Sequence, residues 1–405
     1  MTEIRVRGAC PSLPQPMETG DGLLARLVVA APIPLDDFLG LCAAARTHGN
    51  GTMEISARGN LQVRGLTPLS TPRFAATISA LDMEISDGVP VLADPLPDDP
   101  AALIDANGVA AELCAAIHEA RLTLAPKVSV VVDCGGSIDL DAIAADIRLR
   151  AVTRSDGIGF ALALAGDAAS AVPLASIATE DAVAEVLALL GAIAALGPEA
   201  RAADLPQVRA GRQSYSAAFL PAKRAHPIGR HPLRDGAFAL GLGLAFGHAE
   251  APALSELAGI AKANGASWAR PAPDRALLFG PLGRAEANAT KLAAERLGFI
   301  VEAADPRRSI AACPGAPFCA HGLIASRALA AEIARHAPLS GDGIALHVSG
   351  CAKGCAHPKP APLTIVGTAQ GCGIVRDGSA RDKPSAYAHP ADLLKLILER
   401  EAVDA

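Results

Sequence analysis

The chain has little aromatic surface: Phe, Tyr and Trp together make 3% of its 405 residues, with one tryptophan and two tyrosines. It also has no excess of positive charge, the formal net charge being −6. Nucleic acid is gripped by stacked aromatics or by a basic face, so the two scarcities together exclude a nucleic-acid partner. Positive charge that matters for function must be local.

Long apolar runs are missing too. The longest uncharged apolar stretch, residues 186–197, is far short of the roughly 20 residues that cross a bilayer. The opening MTEIRVRGACPS holds no apolar core of the kind a secretory signal needs. A soluble cytoplasmic protein with no membrane partner is expected. With 51% apolar residues, the chain can bury a sizeable core in two or more domains.

Nine cysteines in a reducing compartment point to metal ligation by some and plain burial of others, rather than to disulfides. Cys10, Cys42, Cys114, Cys134 and Cys372 are scattered and read as small buried hydrophobes. The remaining four come as two pairs, Cys313 and Cys319 in ACPGAPFCAHG, Cys351 and Cys355 in SGCAKGCAHP. Four soft thiolates brought to one point select zinc or an iron–sulfur cluster. Zinc knuckles usually hold their pairs two to four residues apart, whereas five residues separate Cys313 from Cys319 and three separate Cys351 from Cys355. The wider pair suits a larger ligand. Pro314, Gly315, Pro317 and Gly354 keep the backbone irregular there, which lets amide N–H groups face the sulfides of a cluster. Spacing favours a 4Fe–4S cluster and leaves zinc open.

The order of elements repeats. A strand at 23–30 is followed by a helix ending at Gly49, two short strands joined across Gly59-Asn60, and a helix after Pro72. Strand 238–247, helix 252–265, strand 274–282 and the helix AEANATKLAAERLG repeat the plan. Asp21-Gly22 lines up with Asp235-Gly236, Arg46 with Lys262 and Cys134 with Cys351, at shifts of 214 to 217 residues. That near-constancy indicates an internal duplication. ADPLPDDP at 93–100 reads as a linker. After it the pattern predicts a helix around 111–120, a strand at 127–134, a helix near 139–149 and the strand GFALALAG. The later copy shows helix 322–336 and strands 344–351 and 363–367. The expected fold is α+β, with four units: 1–92, 93–225, 226–300 and 301–405, the last bearing the thiols.

A C-x5-C pair followed by a C-x3-C pair on a duplicated chain resembles the siroheme sulfite and nitrite reductase family. That resemblance implies two ferredoxin-like half-domains and two larger α/β lobes around a tetrapyrrole, next to a 4Fe–4S cluster on Cys313, Cys319, Cys351 and Cys355. In the reductases the last of these cysteines would bridge to siroheme iron. Arg58 and Gln62 fall where siroheme enzymes have an arginine and a glutamine facing the tetrapyrrole; Arg64 replaces a usual histidine and Gly59 a usual glutamine. Lys127 matches the first of two lysines aimed at the anion, and Ser129 stands at the second. A missing cation tells against sulfite reduction, which draws on concentrated positive charge.

ACPGAP and SGCAKGCAHPKPAPLTIVG are most similar to the branch of this family that acts in aerobic cobalamin biosynthesis. This similarity implies a monooxygenase that takes metal-free precorrin-3A where others hold siroheme. It implies O2 and NADH as co-substrates and a mononuclear non-haem iron, with meso-carbon hydroxylation and γ-lactone closure giving precorrin-3B. A siroheme-dependent nitrite or sulfite reductase, and a non-catalytic iron–sulfur or tetrapyrrole-binding protein, are the alternatives.

A uroporphyrin-derived ring is rimmed by acetates and propionates, which arginine forks engage well. Arg58, Asn60, Gln62 and Arg64 alternate along the sequence and share one face if the strand continues across the Gly59-Asn60 joint. Arg26 on the neighbouring strand and Lys127 complete the expected substrate-binding set; the same residues also suit a solvated strand face. His321, His347 and His357 are candidate iron ligands. No G-x-G-x-x-G joins a strand to a helix, so electrons are expected from a separate reductase.

Overall fold

The computed structural model describes residues 11–86, 88–211, 224–336, 343–393 and 395; Cys10 lies outside them. The first half-domain comprises β1 (Met17–Thr19), β2 (Gly22–Leu27), β3 (Ile33–Pro34), α1 (Leu35–His48), β4 (Thr52–Ile55), β5 (Leu61–Leu66) and α2 (Thr71–Ser79). Lobe 1 follows with β6 (Val91–Ala93), α3 (Ala106–Ala120), β7 (Val130–Asp133), β8 (Ala145–Arg154), β9 (Gly157–Gly166), β10 (Val172–Ala178), α4 (Ala182–Ala195) and α5 (Pro206–Gly211). The second half-domain repeats the first: β11 (Gly229–Pro232), β12 (Phe238–Gly243), β13 (His248–Glu250), α6 (Ala251–Ala263), β14 (Trp268–Ala272), β15 (Ala276–Leu282) and α7 (Arg284–Arg296). Lobe 2 closes the chain with β16 (Ile310–Ala312), α8 (Ser326–His336), β17 (Leu346–Ser349), β18 (Ala361–Thr368), β19 (Gly371–Gly378) and β20 (Ala386–Ala388).

Each unit builds one five-stranded sheet, and the two half-domains exchange a strand. Their orders are β1-β2-β5-β4-β13 and β11-β12-β15-β14-β3, so β13 completes the first sheet and β3 the second. Alternation decides what each strand buries. In β5, Leu61 and Val63 enter the core while Gln62 and Arg64 turn to the other face. One core is shared by both half-domains, with Leu41 and Ala45 of α1 joining Leu254 and Ala258 of α6, and the ring of Phe38 edge-on to Phe279 at 6.3 Å. Neither half-domain can complete its sheet or core alone.

The lobe sheets run β10-β9-β8-β7-β6 and β16-β17-β18-β19-β20. In each, the first three strands in sequence are parallel and the last two antiparallel. Val130 pairs with Ile147 in lobe 1 as Leu346 pairs with Leu363 in lobe 2, a shift of 216 residues (346 − 130 and 363 − 147). By that shift Gly350, not Cys351, occupies the place of Cys134.

Two sequence expectations fail in lobe 1. The helix near 139–149 is replaced by a loop and by β8, which is paired on both sides. Its burial is nearly continuous, with Ile147, Arg148 and Leu149 all at 0% exposure. A strand covered on both faces loses the alternation that distinguishes it from a helix. The proposed linker at 93–100 is packed instead. Asp94 accepts from Cys134 N–H at 2.6 Å, and Asp99 accepts from Ser137 N–H at 2.5 Å and from its Oγ at 2.7 Å. Those aspartates satisfy buried backbone donors, so a turn-like composition here marks a fixed connection. Cys42, Cys134 and Cys372 are fully buried and Cys114 half-buried; burial pushes the Cys42 thiol up to about 12. Among the described residues no helix is long and apolar enough to cross a membrane.

Candidate active site

The four thiols sit on two loops that leave the carboxyl ends of neighbouring parallel strands, the edge where α/β sheets gather ligands. Because Ala312 of β16 pairs with Val348 of β17, Cys313 and Gly350 emerge side by side. Gly350 N–H donates to Cys313 Sγ at 3.1 Å, and Ser326 Oγ lies 3.7 Å from the same sulfur. The loops are tied together by Leu323 N–H to Gly350 O at 2.8 Å, and the first is closed on itself by Cys319 N–H to Gly315 O at 2.7 Å. Gly315 and Gly354 both hold φ of +62°, which an L side chain resists. Cys313 is 8% exposed, Cys319 and Cys351 are half-buried and Cys355 is exposed. Beside Gly354 lies His347, fully buried with neither ring nitrogen bonded, its ring 5.8 Å from that of His357.

Facing these loops is the outer side of the first sheet. Direct cross-strand register places Arg26 of β2, Gln62 of β5, Glu54 of β4 and His248 of β13 in one row. Arg64 stands on the same side. Its guanidinium grips Asp21 at 2.6 and 2.7 Å and Glu54 at 3.0 Å, and Arg327 at the start of α8 reaches Glu54 at 2.5 Å. The thiol loops close a circuit with this network: Ser326, beside Cys313, precedes Arg327, and Ala320 N–H, beside Cys319, donates to Gly20 O at 2.8 Å. Half-domain and thiol loops are therefore one piece.

Burial alone would raise the carboxyls of Asp21 and Glu54, but the hydrogen bonds and charge of Arg64, joined at Glu54 by Arg327, outweigh it and hold both below the ordinary range. Burial, reinforced by Arg327, lowers His248 to about 4, so its imidazole is neutral at pH 7. Arg26 makes no ion pair among the described residues, and its Nε is buried without a partner.

Stability follows from this network. Arg64→Met leaves buried Asp21 without a counter-charge and Glu54 with Arg327 alone, and a loss of about 3–5 kcal/mol in unfolding free energy is expected by urea denaturation. In the native chain the contribution of Asp21 and Glu54 is present above their unfolded values near pH 4 and is lost as pH falls through the depressed folded values. Arg64→Met therefore flattens or reverses the acid limb of the stability profile.

Gly20 supplies a second test. A Cβ there would stand 2.2 Å from Cys319 Sγ. A free thiol can rotate away, whereas a ligating one cannot, so if Cys319 is a metal ligand Gly20→Ala should lower the metal content while the unfolding midpoint of the metal-free chain stays close to native.

The structure divides the residues expected to bind substrate. Strand β5 starts at Leu61, and residues 56–60 form a closed hairpin with Gly59 at φ +78°. The alternation consequently does not run through to Arg58. Gln62 and Arg64 lie on the sheet face with Arg26. Arg58 instead reaches lobe 1, donating to Ala144 O at 2.7 Å and to Ser129 Oγ at 3.1 Å, and Asn60 lies with it against a small cavity. Lys127 is exposed two residues before Ser129.

The second sheet offers no such face. By the 216-residue shift Leu278 replaces Gln62 and Arg270 replaces Glu54. Leu278, Ala239, Ala272 and Ala276 pack against Leu96 and Ile138 of lobe 1. The duplication has thus kept one polar face and closed the other. Sequence reasoning missed Glu54, Asp21, Arg327 and His248. Alternation in TMEI signals Glu54; nothing local signals His248, which arrives by strand exchange.

A duplicated chain with one polar sheet face set against four thiols has the architecture of the nitrite and sulfite reductases. The family model of the nitrite/sulfite reductase ferredoxin-like half domain matches residues 15–81. The NirA protein of Mycobacterium tuberculosis has the same fold, with a TM-score of 0.66 and 17% identity over 93% of this chain and 79% of that one. Within that class, the chain belongs to the precorrin-3B synthase family. It is 40% identical over 391 residues to a curated Precorrin-3B synthase of Sinorhizobium sp, covering 94% of this chain and 85% of the relative.

Proposed function

We propose that the chain converts precorrin-3A to precorrin-3B in aerobic cobalamin biosynthesis, as a cytoplasmic monooxygenase consuming O2 and electrons from NADH. The observation that carries this reading is the 40% identity to a precorrin-3B synthase along nearly the whole chain. The single polar face opposite the thiol loops supports it, since a macrocycle rimmed by carboxylates needs cations on one side of its cavity.

Cys313, Cys319, Cys351 and Cys355 would hold a 4Fe–4S cluster. The donor set fits: four thiols on adjoining loops, with the Gly350 amide already on one sulfur. Among the described residues no three His, Cys, Asp or Glu side chains are close enough to share one metal ion; a cube of iron and sulfide holds its thiolates further apart than an ion does. When bound, such a cluster supplies electrons singly. The same observation tells against a mononuclear iron on His321, His347 and His357, the imidazoles expected to hold one: among the described residues they do not converge on one point.

Arg26, Arg58 and Lys127 supply charge to the acetate and propionate arms, with Asn60 and Gln62 as hydrogen-bond donors. Arg64 also borders the ring, although Asp21 and Glu54 share its charge, so it chiefly fixes the wall. His248 is neutral at pH 7 and its Nδ1 is buried without a partner, so it offers the site a hydrogen-bonding atom rather than a charge. NADH reduces the chain through a separate reductase.

The test is turnover of precorrin-3A in air with labelled O2, which is expected to place label in the product when a reductase is added. Labelled product from NADH and the purified chain alone would remove the reductase from the account. Sharp tetrapyrrole absorption that survives dialysis would instead identify a siroheme enzyme.

A further inference from the structure

The outer face of the second sheet is sealed by apolar side chains apart from His231, which bonds Pro227 O, and one arginine. Arg270 is 4% exposed. Its guanidinium donates to Asn107 Oδ1 at 2.6 Å and to Ala30 O at 3.2 Å, and it makes no ion pair among the described residues. Asp94, Glu84 and Asp105 act on it only through their fields, and burial lowers it to about 10. A buried cation held by neutral acceptors alone is costly.

The duplication shows what is missing. The pseudo-symmetric mate of Arg270 is Glu54, and Asn107, the second residue of α3, is matched by Arg327, the second residue of α8. In the first sheet Glu54 and Arg327 form an ion pair. In the second sheet the carboxylate has become a guanidinium and its counter-charge a neutral amide.

A cavity opens beside the unmatched cation. It has a volume of about 30 Å³ and is lined by Arg270, Arg58, Asn60, Ala30, Val91 and Pro95, among others. That is room for about two waters or one carboxylate group. The 216-residue shift again explains it: Ala30 stands where its mate is Phe246, a ring that packs against the core of lobe 2. The large side chain that occupies this place in one copy is absent in the other.

We propose that this cavity binds a carboxylate or another small monovalent anion, with Arg270 as its charged anchor and Asn60 as a neutral donor beside it. The site itself does not depend on the reaction proposed above. Only one of its two possible sources does: the ligand is either a carboxylate arm of the macrocycle or a free anion from solution.

Crystals of the full chain soaked in sodium bromide should give an anomalous peak within hydrogen-bond reach of Arg270. Sodium formate at constant ionic strength should raise Tm with a saturable dependence. Arg270→Met should abolish both effects. Ala30→Phe, which imports the mate's side chain and leaves the bonds of Arg270 in place, should abolish them as well. Displacement of bromide by precorrin-3A identifies the occupant as a substrate arm, whereas simultaneous binding identifies a free-anion site; either result supports the anion site. Water alone in the bromide-soaked cavity of the native chain, with no saturable effect of formate, overturns it.

Discussion

Cys313→Ala is expected to yield a folded chain that binds no iron–sulfur cluster and turns over no substrate. Cys313 is the most enclosed of the four thiols and the point where the two loops meet, through the Gly350 amide and Ser326 Oγ. Beneath it, Ile310, Ala312, Leu346 and Val348 form a core that does not depend on the sulfur. Far-ultraviolet circular dichroism should therefore stay native while iron content and visible absorption disappear. Cys372→Ala is the matched control. That cysteine is fully buried in the core beneath the loops and belongs to neither of them, so its loss costs packing and leaves the cluster. Loss of iron in both variants would mean that the lobe, rather than the thiol set, had failed.

The second large effect is expected at Arg58. Alanine there removes a guanidinium from the junction of the first hairpin with lobe 1. Truncating one partner of a buried charge pair costs about 2–5 kcal/mol, or roughly 30- to 4,000-fold in Kd for the macrocycle. Iron content and visible absorption should not change. Because Arg58 also bonds Ser129 and Ala144, the loss could come from a loosened hairpin. Ser129→Ala removes one of those bonds and keeps the cation, and near-native affinity is expected. Native affinity in Arg58→Ala would remove the residue from the proposed clamp.

Much of this molecule was legible because its signals are local. Two thiol pairs, a glycine-asparagine hairpin, helices ending at glycine and a near-constant repeat shift are all read within short windows. The unread parts are long-range. His248 joins the polar row only because β13 crosses into the first sheet, and Glu54 meets its partner Arg327 across 273 residues of chain. β8 looked helical because burial on both faces erased its alternation. Asp94 and Asp99 looked like linker residues because composition does not reveal which backbone amides they will satisfy. Alternation assigned Gln62 and Arg64 to one face, yet it could not say that the strand begins only at Leu61.

What the two thiol loops hold decides the chemistry open to this chain. Elemental analysis of anaerobically prepared chain, with Mössbauer spectra of iron-57-enriched material, tests this most directly. Roughly four irons and four sulfides per chain in a cubane signature, beyond any mononuclear iron, are predicted. Zinc in place of iron, with no labile sulfide, would contradict it.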